Sequence, residues 1–235
     1  PNYTAGHSLG EYSAFVVSDV LTFEDAVKVV HKRGLYMDEA VPAGEGAMAA
    51  ILGMESADLQ QVCHDVSASG LVTQLANLNC PGQIVISGTK EGVETACTLA
   101  KERGAKRAIP LTVSGPFHSA LMNPAAEKLA SVIEKVALNA PSIPVVSNVT
   151  STLLEDVQAI KQEMVDQVSS PVQWEQNVRT LIDLGVTVFI ECGPGKVLSG
   201  LVKKIDRNAT VYCVYDVATI EQVVEASKGW NTQWV

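Results

Sequence analysis

Gly6-His7-Ser8-Leu9-Gly10 has the G-x-S-x-G spacing of a nucleophile elbow, a sharp turn between a strand and a helix. Such a turn holds its serine in a strained backbone conformation, and flanking glycines let neighbouring backbone approach closely. The reading puts a short strand before Ser8 and a helix from about Gly10 to Val17. The Ser8 hydroxyl then projects at the positive end of that helix, where backbone N–H groups stabilise an oxyanion. An α/β fold with a serine site follows. The same five residues also suit an ordinary turn, so the rest of the chain must carry the assignment.

The chain has 235 residues, 47% of them hydrophobic and 18% charged. That composition suits a globular enzyme with a sizeable core, built as one domain with an insertion or as two small ones. No apolar run reaches the roughly 18 residues of a membrane span. A net charge of −9 argues against nucleic acid or an anionic membrane as partner. Cys63, Cys80, Cys97, Cys192 and Cys213 are odd in number and lack metal-ligand spacing, which reads as reduced thiols in a cytoplasmic protein. Only Pro1 to Ala5 precede the elbow, so an N-terminal piece of the core is expected to lie outside this chain.

Hydrophobic periodicity places the remaining elements. Thr22-Phe-Glu-Asp25 reads as a capping box. It opens a helix with Ala26, Val27, Val29 and Val30 inward, expected to end near Gly34. From 46 to 113 the pattern changes to β-α-β-β-α-β, a ferredoxin-like arrangement: an apolar run at 47–52, a helix at 57–66, strands near 71–78 and 83–87, a helix at 91–103 and a strand at 107–113. This small subdomain is read as inserted into a larger one made of residues 1–45 and 114–235. There, a helix runs from the Ser114–His118 loop to about Ala137, and a strand covers 144–148. A helix spans 156–168, and another starts at Ser170-Pro171. The end of the chain reads as a strand at 186–191, the turn Gly193-Pro-Gly195, a helix at 196–205, a strand at 210–215 and a helix opened by Thr219. Strands alternating with helices imply a parallel sheet covered on both faces.

A serine hydroxyl needs a base. His7 adjoins Ser8 at a sharp turn and points away from it. His31 and His64 lie on solvated helix faces. His118 lies in a Gly-Pro loop where the chain leaves the small subdomain, the kind of place where sites form, and is the candidate base. No carboxylate stands out to complete a triad; Asp183 and Glu191 qualify by position only, and a main-chain carbonyl can hold the imidazole instead. Arg33 closes a helix in this reading, either as an exposed residue or as a bidentate partner for a carboxylate.

Together these segments resemble the malonyl-CoA:acyl carrier protein transacylases of bacterial fatty-acid synthesis and the acyltransferase domains of polyketide synthases. The resemblance rests on Gly6-His-Ser-Leu-Gly-Glu-Tyr-Ser13, Arg33-Gly34, Gly46-Ala-Met-Ala-Ala50, Asn79-Cys-Pro-Gly-Gln83, Phe117-His-Ser-Ala-Leu-Met122, Pro171-Val-Gln-Trp174 and Gly193-Pro-Gly-Lys-Val-Leu198. It implies a hydrolase-like α/β core with a ferredoxin-like insertion. It also implies roles: Ser8 as acylated nucleophile, His118 as base, Arg33 as clamp for the malonyl carboxylate, and the Leu9 N–H as an oxyanion donor. The Gln173 carbonyl would orient His118. Phe117 would crowd a branched acyl group and favour malonyl over methylmalonyl, and Met122 belongs to the same motif beside the substrate. The family's N-terminal Gly-Gln-Gly segment has no counterpart in this chain.

The implied reaction is a ping-pong transfer from malonyl-CoA to the phosphopantetheine thiol of an acyl carrier protein, without metal or bound cofactor. The rivals are a serine esterase or thioesterase on the same elbow, and a non-catalytic binding module. An acidic carrier meeting an acidic enzyme needs a local basic patch. Lys196, Lys203, Lys204 and Arg207 are the first candidates, and Lys101, Arg103, Lys106 and Arg107 the second.

Overall fold

The computed structural model describes residues 1–230 of the chain. Its first helix, α1 (Leu9–Val17), follows Ser8 directly, and α2 (Phe23–Ala40) follows after a tight corner. Thr22 caps α2 by accepting the Asp25 N–H at 3.1 Å. This helix does not stop at Gly34. A glycine inside a helix costs only about 1 kcal/mol, and burial of Arg33 and Met37 on one face outweighs it. Arg33 therefore lies mid-helix and only 7% exposed. Of the four inward positions expected here, Ala26 and Val29 are buried and Val30 packs against the core, while Val27 is exposed.

Residues 46–110 form one antiparallel sheet: β1 (Gly46–Leu52), β2 (Thr73–Cys80), β3 (Gln83–Thr89) and β4 (Arg107–Pro110), in the order β2-β3-β1-β4. Helices α3 (Ser56–Ala68) and α4 (Lys90–Glu102) supply the crossovers. Strand alternation sorts the side chains. Ala49, Ile51, Leu75, Ile84 and Ile86 pack under Leu59, Val62, Val93 and Ala96 of the two helices. Met48, Ala76 and Val85 face the other way and meet Phe117.

The larger core gathers Tyr12 and Phe15 of α1, Val29 and Met37 of α2, Leu129 and Ile133 of α5 (Asn123–Ile133), and Ile160 and Met164 of α6 (Val157–Asp166). Helix α5 ends four residues before the expected Ala137. The chain after it is tied to the α1–α2 corner, with Asn139 N–H donating to the Val20 carbonyl and Ser142 N–H to the Ser18 carbonyl. The expected strand at 144–148 shrinks to β5 (Val145–Val146), antiparallel to β6 (Leu153–Leu154) and bridged in parallel by Thr4.

Pro171 does not begin a helix. Residue Val172 is extended and bridges Asn77 in parallel, exchanging backbone bonds with Ala76 and Leu78, so α7 (Trp174–Asp183) starts three residues later than Pro171. Strands β7 (Val188–Cys192) and β8 (Thr210–Val214) pair in parallel around α8 (Val197–Ile205). The last helix, α9 (Val217–Ser227), is opened by Asp216 in a capping box with Thr219, not by Thr219 itself. The result is a mixed α/β protein. Among the described residues, no helix is long and apolar enough to cross a membrane.

Candidate active site

Ser8 sits at φ 52°, ψ −107°, a conformation that L-residues adopt only when their surroundings impose it. Two things impose it here. A Cβ on Gly6 would lie 2.0 Å from the Gly10 carbonyl carbon and oxygen, so only glycine lets the turn close. Asn148 then stitches the turn from outside: its Oδ1 accepts the Ser8 N–H at 2.7 Å, and its Nδ2 donates to the Gly6 carbonyl at 2.6 Å. Gly10 is different, since a Cβ there would meet nothing within 4 Å. Of the two elbow glycines, only the first is needed for close approach.

The Ser8 Oγ lies 2.7 Å from His118 Nε2. His118 is also at positive φ, 57°, and is buried. Its Nδ1 is 2.8 Å from the Gln167 carbonyl and 3.2 Å from the Ser170 carbonyl. Carbonyls only accept, so Nδ1 carries the hydrogen and Nε2 presents a lone pair to the serine hydroxyl. Burial first, and the Arg33 charge second, push the His118 pKa down to about 3. The imidazole is thus neutral at neutral pH, and its Nε2 lone pair carries no proton. The Gln173 carbonyl does not perform this orienting task. It accepts the Asn177 N–H in the first turn of α7, and the segment that reaches His118 lies upstream at 167–170.

Arg33 brings its Nη2 to 3.2 Å from Ser8 Oγ and 2.8 Å from Gln167 Oε1. Its guanidinium carbon is 5.7 Å from the centre of the Tyr12 ring. Nε is buried with no partner. Among the described residues, no Asp or Glu forms an ion pair with Arg33. A buried cation beside a serine hydroxyl, without its own anion among the described residues, has the chemistry to take up a carboxylate.

The other expected residues fall in different places. The Leu9 side chain is exposed, and its N–H opens α1 beside Ser8 without a backbone partner among the described residues. Phe117 is half-buried and packs against both the large core and the outer face of the small sheet. Met122 is 0% exposed, one of the large-core residues with Leu129 and Ile133, so it packs the base of the His118 loop and offers a substrate no surface. Glu191 accepts the Leu198 and Ser199 N–H groups and caps α8. Asp183 ends α7. His31 and His64 are exposed, and His7 hydrogen-bonds Asn79 at 2.9 Å beside Trp174. Lys203 donates to the Ala209 carbonyl at 2.6 Å and is tied to the turn that follows its helix, whereas Lys204 reaches Gln83 across the surface. Arg103 of the second basic group pairs with Asp65.

Gln167 and Asn148 were invisible to sequence reading. Each lies about 140 residues or more from Ser8, and neither belongs to a chemical motif.

Comparison with known proteins gives the chain its family. The acyl transferase domain family matches residues 1–223. The malonyl CoA-acyl carrier protein transacylase of Bacillus subtilis (strain 168) is 57% identical over 231 residues, 98% of this chain and 73% of that protein. The solved malonyl CoA-acyl carrier protein transacylase from Clostridium perfringens superposes with a TM-score of 0.94 at 41% identity, over 97% of this chain and 72% of that one. A malonyl-transacylase solved in complex with a type II PKS acyl-carrier protein superposes equally well, at 0.94 and 44% identity, over 96% and 73%. The chain belongs to the acyl transferase domain family.

Proposed function

We propose that this chain moves a malonyl group from malonyl-CoA to the phosphopantetheine thiol of an acyl carrier protein, through a malonyl ester on Ser8. One observation carries the reading: a buried guanidinium without a carboxylate partner lies 3.2 Å from the nucleophilic oxygen. A hydrolase of neutral acyl groups has no use for such a cation, while a dicarboxylic acyl group completes it. Relatives named for this activity support the same reading.

The steps follow from the geometry. His118 Nε2 takes the Ser8 proton as Oγ attacks the thioester, and the Leu9 N–H donates to the oxyanion. CoA leaves as a thiol after receiving the proton from His118. The carrier thiol then enters, His118 takes its proton, the sulfur attacks the ester, and His118 returns the proton to the departing Ser8 Oγ. Arg33 holds the far carboxylate throughout, so the acyl carbonyl returns to one position in both half-reactions. No residue in these steps calls for a metal or bound cofactor. The aromatic Phe117, wedged between core and small sheet, restricts the α-carbon and favours malonyl over methylmalonyl.

Around this site we read a hydrolase-like core, made of 1–45 and 114–235, with a ferredoxin-like subdomain at 46–113. The strand order β2-β3-β1-β4 supports the second label. The role in fatty-acid synthesis goes with a cytoplasmic setting. The test is intact mass of the protein after mixing with malonyl-CoA, acetyl-CoA and methylmalonyl-CoA, followed by addition of a pantetheinylated carrier protein. Malonyl adduct on Ser8 that then passes to the carrier is the expected result. Release of free malonate as fast as transfer would make the chain a thioesterase.

A further inference from the structure

Beneath the elbow lies a buried pair of carboxyl groups that the reaction above does not use. Glu11 is 0% exposed and Glu163 4%. Glu11 Oε1 accepts the Asn148 N–H at 2.8 Å and its Nδ2 at 3.1 Å, and Oε2 accepts Gln167 Nε2 at 2.7 Å. Glu163 accepts Ser147 Oγ at 2.6 Å and the Val149 N–H at 3.0 Å. The two carboxyls face each other, and burial together with mutual repulsion raises the Glu11 pKa well above its ordinary value. Two such groups in contact share a proton and leave one negative charge.

The two amides held by Glu11 are the ones that assemble the site. Asn148 binds both ends of the strained turn, at Ser8 N and Gly6 O. Gln167 touches all three functional side chains or their backbone: its Nε2 donates to the Ser8 carbonyl at 2.9 Å, its Oε1 accepts from Arg33, and its own carbonyl accepts from His118. An amide has one accepting and one donating end. Which way Gln167 points is decided by what lies opposite its NH2, and that is Glu11 together with the Ser8 carbonyl. Resting on the malonyl-transfer reading above, we infer that Glu11 is a positioning residue: acting as acceptor toward Asn148 and Gln167, it fixes where Ser8, His118 and Arg33 meet.

The inference separates two substitutions of equal size. In Glu11→Gln, the new NH2 must face either the Asn148 donors or the Gln167 donor. Relief requires turning the Gln167 amide, which presents its NH2 to the Arg33 guanidinium and abandons the Ser8 carbonyl. In Glu163→Gln, the loss falls on Ser147 and Val149, the donors to Glu163, while the bonds from Glu11 to Asn148 and Gln167 survive. Glu163 touches none of Ser8, His118 or Arg33. Misplacing reacting groups by about 1 Å costs on the order of 10²-fold.

The experiment is single-turnover malonylation of Ser8 by malonyl-CoA in wild type, Glu11→Gln and Glu163→Gln, with thermal melting of each. The expected result is a roughly 100-fold slower acylation in Glu11→Gln, seen in the maximal rate more than in the half-saturating malonyl-CoA concentration, and a loss under about fivefold in Glu163→Gln. A role limited to burying polar groups would slow the two variants alike. If Glu11→Gln does not fold, Glu11→Asp, which keeps the acceptors but withdraws them by one carbon, takes its place. Acylation within threefold of wild type in the folded Glu11 variant, or equal losses in both variants, overturns the inference. Failure of the wild type to label at all would instead overturn the malonyl-transfer reading.

Discussion

Ser8 and His118 meet at 2.7 Å across 110 residues of chain, and both stand at positive φ, 52° and 57°. Neither is a glycine, so each backbone stores strain that its neighbours must hold in place. The contact is thus a built feature, and it commits the two side chains to acting as one unit. Ser8→Ala should abolish formation of the acyl-enzyme. His118→Ala should slow it by roughly 10³-fold or more, since members of such a unit lose nearly the same activity when removed singly. Burst kinetics with malonyl-CoA check this, and near-wild-type acylation in His118→Ala would remove the histidine from the mechanism.

Arg33→Ala should turn the preference from malonyl toward acetyl. A charge-assisted pair of about 1.5–3 kcal/mol is lost for malonyl only, or roughly 10- to 150-fold in relative kcat/KM. Because Gln167 Oε1 also loses its partner, a drop of about 1–3 kcal/mol in stability should accompany it. Parallel assays with both thioesters decide the matter; an equal fall for each would make Arg33 structural.

The burial of His118 makes stability depend on pH in a stated direction. Its folded pKa is near 3, and its unfolded value near 6.5. Between these, only the unfolded chain binds the proton, so this group removes stability as pH falls through that window, by up to about 1.4 kcal/mol per unit. Glu11 works oppositely. With its pKa raised by burial and by Glu163, it contributes stability at low pH and loses it as pH rises above the ordinary carboxyl range. The two trends oppose each other above the ordinary carboxyl range. His118→Gln should gain stability relative to wild type as pH falls from about 6.5 toward 3. Urea midpoints at three pH values test the sign; a constant difference would mean that burial and the Arg33 charge do not keep His118 neutral.

Gly6→Ala should destroy the elbow, since the added carbon lies 2.0 Å from Gly10 backbone that cannot move without unwinding α1. A loss of at least about 3 kcal/mol is expected. Gly10→Ala, with open space around it, should fold normally. Melting temperatures of the two variants make the comparison, and equal values would contradict the close approach.

For the carrier protein, Lys203, tied to the Ala209 carbonyl, and Lys204, which reaches Gln83 on the surface, part company. Lys204→Glu should raise the KM for an acidic carrier and weaken its salt dependence, leaving acylation by malonyl-CoA nearly unchanged. Lys203→Glu should cost stability, because it withdraws the donor to the Ala209 carbonyl. Unchanged carrier kinetics in Lys204→Glu would move docking to another face.

What could be read from the sequence was whatever imposes a local pattern. The elbow, the Thr22 cap and the apolar run of β1 are written in consecutive residues, and the structure has them. Gly34 misled because a local stop signal lost to a long-range one, the burial of Arg33 and Met37. Gln173 misled for a related reason. The carbonyl that holds an imidazole carries no side-chain signature, and three residues of extended chain before α7 moved it upstream. Met122 follows the histidine closely in sequence, but the 3₁₀ turn at Ala120–Met122 swings it into the core. Asn148 and Gln167 are uncharged amides far from the elbow, and only the folded chain shows that they hold it.

The backbone exchange between Val172 and the strand at Ala76–Leu78 sets a rule for anyone recombining these enzymes. Val172 lies two residues beyond Ser170, whose carbonyl touches His118. The small sheet and the seat of the base are therefore sewn along one seam. A chimera that imports residues 46–113 from a relative, cut at the two covalent junctions alone, brings a foreign edge to that seam. Transplants that carry 167–174 together with 46–113 preserve the match, and the crossover points belong there.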